Sequence, residues 1–237
     1  MNIALIGYGK MGKSIEKMAT QRGHHISSIV DLDSQEKLSE IAPDNTDVVI
    51  EFSNPSSAFD NIGACLRQKV PVISGTTGWL DQLPDIEELC VAHGGTFLTT
   101  SNFSLGVNIL FKLNEWLSQV MGQFPDYKIA IEETHHLQKL DKPSGTAITL
   151  AEDIINTHPH YRRWALDASK EKDIKIASFR QEEVAGKHVI KYHSSIDTIA
   201  ITHEAHSRDG FTLGAVLVAE WIQDKKGIFT MNDFIKI

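Results

Sequence analysis

The chain has 237 residues, 41% of them hydrophobic and 23% charged, enough to bury a sizeable core in one large or two modest domains. A formal net charge of -8 with no Lys/Arg block longer than two residues excludes a general nucleic-acid binder, and no run approaches the roughly 18 apolar residues of a membrane span. Any anionic ligand therefore needs a local positive site. Cys65 and Cys90 show neither CxxC pairing nor metal-type spacing, so they are expected as buried small apolar residues rather than a disulfide or zinc framework. The apolar segment 1–7 lacks a charged n-region and a cleavage site, which predicts a first strand instead of a signal peptide and a cytoplasmic location.

In chain order, residues 2–6 form a short apolar run ended by Gly7, and residues 10–22 carry Met11, Ile15 and Met18 at helical spacing. A second strand, 25–30, ends at Asp31, and after an irregular stretch residues 48–52 give a third. Ser53 to Pro55 signals a turn before an amphipathic helix to about residue 68. Strand 70–74 closes on Gly75, Thr76, Thr77 and Gly78, a helix covers 82–93, and 96–100 makes a fifth strand. This alternation predicts an α/β fold with a Rossmann-type doubly wound parallel sheet.

The pattern changes after Ser101. Residues 105–121 predict a long apolar helix, followed by strands of period-2 alternation at 128–134, 174–180, 187–193 and 197–203. A helix at 145–156 aligns Ala147, Leu150, Ala151 and Ile154 on one face. Gly186 predicts a hairpin-like turn between the second and third of these strands, and Ser194-Ser195 one between the third and fourth. The result is a second α+β domain on a mixed sheet. Residues 212–223 form a final apolar helix expected to return to the first domain. The expected division is a dinucleotide-binding domain at 1–104, completed by 208–237, and a substrate-binding and oligomerisation domain at 105–207. The tryptophans at 79, 116, 164 and 221 are expected as core or interface anchors.

Gly7, Tyr8, Gly9, Lys10, Met11 and Gly12 match G-x-G-x-x-G directly after a strand and at a helix start. The first glycine permits the turn, the second lets backbone approach a pyrophosphate, and the third lets helix pack on strand. Asp31, 19 residues beyond Gly12, stands where an acid bonds the ribose hydroxyls of NAD, whereas Lys10 would neutralise a 2'-phosphate, leaving NADH and NADPH both open. Gly75 to Thr77 and Thr100, Ser101, Asn102 and Phe103 follow strands ending on the same edge. Their small polar groups suit a nicotinamide site with Phe103 over the ring, or ordinary turn chemistry.

Residues 133–147 concentrate two imidazoles, two lysines and a hydroxyl-rich helix start. Within a strand, His135 and His136 would point to opposite faces, so they share a site only where the strand ends, and Asp141-Lys142-Pro143 says that it does. Ser144, Gly145 and Thr146 then open a helix whose free N-H groups suit a carboxylate. Histidine donates a proton near neutral pH, while Lys139 and Lys142 supply charge or a proton. Glu133, His135, His136, His203, Glu204 and His206 are candidate metal ligands by type, but none has the H-E-x-x-H spacing, and no metal is expected.

These motifs, together with Ser101 to Asn108 and Ser207 to Phe211, run through almost the whole chain, which resembles the dihydrodipicolinate reductase family. The resemblance implies NADH- or NADPH-dependent reduction of a cyclic dicarboxylate in the diaminopimelate route to lysine. It implies that His135 donates and accepts a proton, that Lys139 is a second donor, that His136 contacts substrate and that Gly145 and Thr146 hold its carboxylate. Residues 7–12, Asp31, 75–77 and 100–103 would hold the dinucleotide, the second domain closing over it, in a homotetramer with no nucleic-acid or membrane partner. The chain departs from the family in reading His-His-Leu-Gln-Lys where members usually read His-His-Arg-His-Lys, in Lys10 where arginine is frequent, and in its short length. The alternatives are another two-domain NAD(P) dehydrogenase of a small acid or aldehyde, which needs no Pro-Ser-Gly-Thr clamp, and a nucleotide sensor, which has no use for His135 with Lys139.

Overall fold

The structure is a computed structural model in which residues 1–32, 37–166 and 170–236 are described. It divides into two compact units, Met1–Leu105 with Asp209–Lys236, and Gly106–Arg208.

In the first unit β1 (Asn2–Ile6), β2 (His25–Val30), β3 (Val48–Glu51), β4 (Val72–Ser74) and β5 (Thr96–Thr99) alternate with α1 (Lys10–Gln21), α2 (Pro55–Arg67) and α3 (Leu83–His93). Local chemistry sets the helix ends. Asn54 caps α2 by accepting from the Ser56 N-H, with Pro55 in the first turn, and Gly94 ends α3 in the left-handed conformation. The chain returns to this unit through α6 (Asp209–Ile222), β11 (Gly227–Phe229) and α7 (Met231–Phe234). The sheet order is β11-β5-β4-β3-β1-β2, with every pairing parallel.

Successive strand residues serve opposite cores, which is why these strands read as unbroken apolar runs. Ile3, Leu5, Val48, Ile50, Ile73 and Leu98 pack with α1 and α6, whereas Ala4, Ile6, Val49, Val72 and Phe97 pack with α2 and α3. At Gly214 of α6 an added Cβ would sit 1.8 Å from the Phe103 carbonyl oxygen, so only glycine permits that approach. The edge strand β11 was not predicted, because three residues carry too little periodicity to read.

The second unit contains α4 (Leu105–Met121, whose first residue belongs to the first unit), β6 (Lys128–His135), α5 (Gly145–Thr157), β7 (Arg163–Leu166), β8 (Asp173–Arg180), β9 (Gly186–His193) and β10 (Thr198–Ala205). Its sheet order is β10-β9-β6-β8-β7. The mixed sheet follows the period-2 reading, but the hairpin expected around Gly186 does not form. β6 lies between β8 and β9, pairing parallel to the first and antiparallel to the second. The Ser194-Ser195 turn does join an antiparallel pair, β9 and β10. β7 was not expected.

One face of this sheet passes from core to chemistry. On β6, Ile129 and Ile131 are followed two by two by Glu133 and His135; on β8, Ile174 and Ile176 lead to Ser178 and Arg180; on β9, Tyr192 and Ile190 run back to His188 and Gly186. The apolar members pack with Leu110 and Leu117 of α4 and with Leu150 and Ile154 of α5. Among the described residues no helix is long and apolar enough to cross a membrane.

Candidate active site

The first unit gathers its candidate residues at the carboxyl ends of β1 to β5. The strand order reverses between β1 and β3, which is where open α/β sheets bind ligands. A cavity of about 160 Å³ lies at that point, lined by Gly7, Asp31, Ser53, Asn54, Ser57 and Asn61 among others. Gly7 has φ +87°, and a Cβ there would meet the Phe52 carbonyl oxygen at 2.1 Å; one at Gly12 would meet the Gly7 carbonyl oxygen at 2.3 Å. Folding alone therefore explains both. Gly9 is different, since a Cβ would meet nothing within 4 Å. The bare backbone at Gly9, at the N-terminus of α1, fits an approaching pyrophosphate, and Asp31 in the adjoining cavity fits a ribose.

The other expected dinucleotide residues divide. Lys10 is exposed, Met11 packs toward the core, and the Tyr8 hydroxyl bonds Glu16 of the following helix. Thr76 is buried and ties down the loop after β4 by donating to Glu51 Oε1 at 2.9 Å and accepting from the Ser53 N-H at 2.9 Å. Gly75 leaves room for the Phe52 ring, and Thr77 is exposed. Thr100 and Asn102 engage in turn bonds, the Thr100 hydroxyl accepting from the Asn102 N-H at 3.1 Å and Asn102 Oδ1 from the Ser104 N-H at 2.9 Å; Ser101 is exposed. Phe103 does not fit its expected place over a nicotinamide. Its side chain is 2% exposed, packed in the core with its ring centroid 5.6 Å from that of Phe52.

Sequence reading also missed Glu51. This fully buried carboxylate accepts from the Ser53 N-H at 2.9 Å, from Ser74 Oγ at 2.6 Å, from Thr76 Oγ1 and from the Ser53 hydroxyl, organising the floor of the crevice. The free cysteines are buried as expected, and burial pushes the Cys65 thiol up to about 12.

In the second unit β6 ends at His135. The imidazole Nδ1 lies against Glu133 Oε2, close as an ion pair though not aligned as a hydrogen bond. Arg180 donates to the other carboxylate oxygen, Oε1, at 3.0 Å. Burial alone would push the Glu133 carboxyl up, but the opposing pull of His135, Ser178 and Arg180 outweighs it and holds it at about 2, so the group is an anion. Across the sheet from Glu133 stands His188, its ring centroid 5.1 Å from that of His135. Burial first, and the neighbouring His135 second, push His188 down to about 3, so it is neutral. Gly186 keeps the sheet clear beside His135, since a Cβ there would come 3.1 Å from Nε2.

Beyond His135 the chain turns, Lys139 N-H bonding the His136 carbonyl at 3.1 Å, and Lys139 Nζ pairs with Asp141 at 2.8 Å. That lysine bond holds the Asp141 carboxyl below its usual range. Lys142 is exposed. Ser144 caps α5, its hydroxyl accepting from the Ala147 N-H at 3.2 Å and lying 3.1 Å from His188 Nε2. The first two helical N-H groups, those of Gly145 and Thr146, have no intrahelical acceptor. A Cβ at Gly145 would meet nothing within 4 Å, so packing does not require that glycine either.

Glu133, His135 and His188 carry ligand-type atoms within 4.8 Å of one another, the donor set of a zinc site with two imidazoles and one carboxylate. Yet one oxygen of Glu133 serves Arg180 and the other His135, which is the arrangement of an oriented acid-base pair. His188 and Arg180 were not singled out from sequence. The only signal was a polar residue at an inward position of an alternating strand.

Among known proteins, the family model for the dihydrodipicolinate reductase N-terminus matches residues 1–103, and that for the C-terminus residues 106–235. A 4-hydroxy-tetrahydrodipicolinate reductase of Christiangramia forsetii is 49% identical over 235 residues, covering 99% of this chain and 98% of that protein. One from Buchnera aphidicola subsp. Schizaphis graminum is 36% identical over 83% of this chain and 74% of its own. A dipicolinate-bound dihydrodipicolinate reductase from Paenisporosarcina sp. TG-14 shares the fold with a TM-score of 0.82 at 22% identity, covering 100% of this chain and 99% of that one.

Proposed function

The chain belongs to the dihydrodipicolinate reductase family, and from that premise we propose that it reduces 4-hydroxy-tetrahydrodipicolinate to tetrahydrodipicolinate with NADH or NADPH, in the diaminopimelate route to lysine. The observation that carries the reading is the buried Glu133, His135 and His188 cluster, the first two of them on the strand that leads through Lys139 into a helix start left open at Gly145.

In this reading the first unit binds the dinucleotide. The amide groups at the start of α1 hold the pyrophosphate against Gly9, and Asp31 accepts from ribose hydroxyls. A bound nicotinamide dinucleotide supplies a hydride to the conjugated C=N/C=C system formed when the 4-hydroxy precursor loses water. The second unit holds the cyclic dicarboxylate. The Gly145 and Thr146 amides take one carboxylate, His136 makes a further contact, and cationic Lys139 offsets the charge of a dianion in an acidic protein. Glu133 keeps the His135 Nδ1 engaged, so that Nε2 is the atom that delivers the proton, with Lys139 as second donor. Hydride and proton together saturate one double bond. Homotetrameric assembly through the second sheet belongs to the same proposal. Its outer face carries Ala130, Ala177, Val189 and Ala200 beside the pairs Lys191 with Glu132 and Lys187 with Glu204.

The test is the oxidation of NADH or NADPH, followed by absorbance, with substrate generated freshly in the cuvette. Turnover is expected with at least one dinucleotide; tight dinucleotide binding without turnover would identify a sensor instead. His135→Ala and Lys139→Ala should each lower kcat by roughly 10²- to 10⁴-fold.

A further inference from the structure

Arg180 ends β8 directly opposite His135 in the parallel β6–β8 register, and the Gln181 N-H bonds the His135 carbonyl at 2.9 Å. Its guanidinium serves four acceptors. Nη1 donates to Glu133 Oε1 at 3.0 Å and to the Phe179 carbonyl at 2.7 Å, Nη2 to the Asp141 carbonyl at 2.6 Å, and Nε to the Lys139 carbonyl at 3.2 Å. One side of this fork fixes the carboxylate beside His135. The other fixes the irregular segment that carries Lys139.

We infer that Arg180 is a positioning residue that couples the two proton-bearing side chains, holding His135 through Glu133 and Lys139 through the main-chain carbonyls at 139 and 141. The inference rests on the proton-donor roles proposed above for His135 and Lys139.

A structural ion pair would need only the Glu133 bond, and buried pairs are often replaceable by apolar residues without loss of stability. Here the remaining donors are spent on carbonyls, two of them in a segment with no regular secondary structure, one belonging to Lys139 itself and the other to Asp141 two residues on. A planar fork with five N-H donors reaches acceptors in three directions, which an ammonium on a flexible stem cannot do at once. The groups against the His135 imidazole are Glu133 from its own strand and His188 from β9, with Arg180 of β8 on the far oxygen of Glu133 and with Lys139 and His203 acting on His188. Glu133 is the anion in contact with that ring, while Asp141 is taken up by Lys139. Freeing the Glu133 side chain loosens the ring.

The test compares Arg180→Lys, Arg180→Met and Glu133→Gln with His135→Ala, using kcat, KM and the thermal midpoint of each protein. Arg180→Lys keeps a charge beside Glu133 while losing the carbonyl bonds, and is expected to fold. It should lower kcat roughly 10-fold or more, and Arg180→Met about 10²-fold, with KM changed far less, as for catalytic groups displaced by about 1 Å. Glu133→Gln, which keeps the shape of the side chain and loses the ion pair to His135, should likewise lower kcat roughly 10-fold or more. A folded Arg180→Lys with kcat within twofold of wild type, or a folded Glu133→Gln with kcat within twofold of wild type, overturns the inference while a dead His135→Ala leaves the proposed function standing. If His135→Ala turns over at the wild-type rate, the proton-donor reading falls, and this inference falls with it.

Discussion

The two units present polar chemistry in opposite ways. In the first, the groups suited to a ligand are main-chain amides and loop ends at the edge of a parallel sheet, and the decisive residue, Gly9, contributes by having no side chain. In the second, the decisive groups are side chains standing on a sheet face, Glu133, His135, Arg180 and His188, each held by another. A main-chain site resists most substitutions and fails when a Cβ intrudes. A side-chain site fails when any partner is removed, and it titrates.

The sharpest way to break this comparison is to put methyl groups into the glycine loop. Gly9→Ala should leave the thermal midpoint unchanged, because its Cβ meets nothing within 4 Å, yet weaken dinucleotide binding by roughly 10²-fold. Gly7→Ala, with φ +87° and the Phe52 carbonyl oxygen at 2.1 Å, should lose stability as well as binding. Calorimetric titration alongside a melting curve separates the two. Equal losses of stability in both variants would mean that Gly9, too, serves packing.

A second measurement uses titration, which main-chain amides lack. Burial holds His188 neutral in the fold down to about pH 3, whereas the unfolded chain takes up that proton below about 6.5. The unfolded state therefore binds more protons across that window, so stability should fall as pH drops from 6.5 toward 3, at most by about 1.4 kcal/mol per pH unit. Denaturant unfolding of wild type and His188→Gln at pH 7 and about 5 should show a smaller acid loss in the variant. Parallel losses would place the proton elsewhere.

The smallest expected effect lies at the one side chain on which the main-chain site relies. Asp31→Ser should shift the NADH to NADPH preference about tenfold toward NADPH, the worth of one hydrogen bond and one repulsion. An unchanged ratio of kcat/KM values would remove Asp31 from cofactor choice.

The same contrast explains what could be read from sequence. The glycine loop and the segment from His135 to Thr146 are contiguous, so spacing alone exposes them. The parallel strands were legible because their apolar runs lie between helices. Arg180 and His188 were hidden because they meet His135 only through strand register, and the hairpin expected at Gly186 paired the wrong strands. Beside β9 instead of β6, Arg180 would have had no relation to His135; the true order sets the two directly opposite. Glu51 escaped notice for a related reason, since its partners lie in the loop after β3, at the end of β4 and in the loop after it. Phe103 misled because an aromatic after a strand reads equally as a lid or as core, and its ring packs beside Phe52 in the core. The departures at Leu137 and Gln138 fall just after the strand, with Leu137 54% exposed, away from the buried pairs.

The unbroken alternation of β6 makes proofreading of the site intrinsic to folding. A one-residue slip in its register would turn that carboxylate and His135 toward the outer face and expel Ile129 and Ile131 from the core with them. A register slip in this strand therefore disables the site and disrupts the core together.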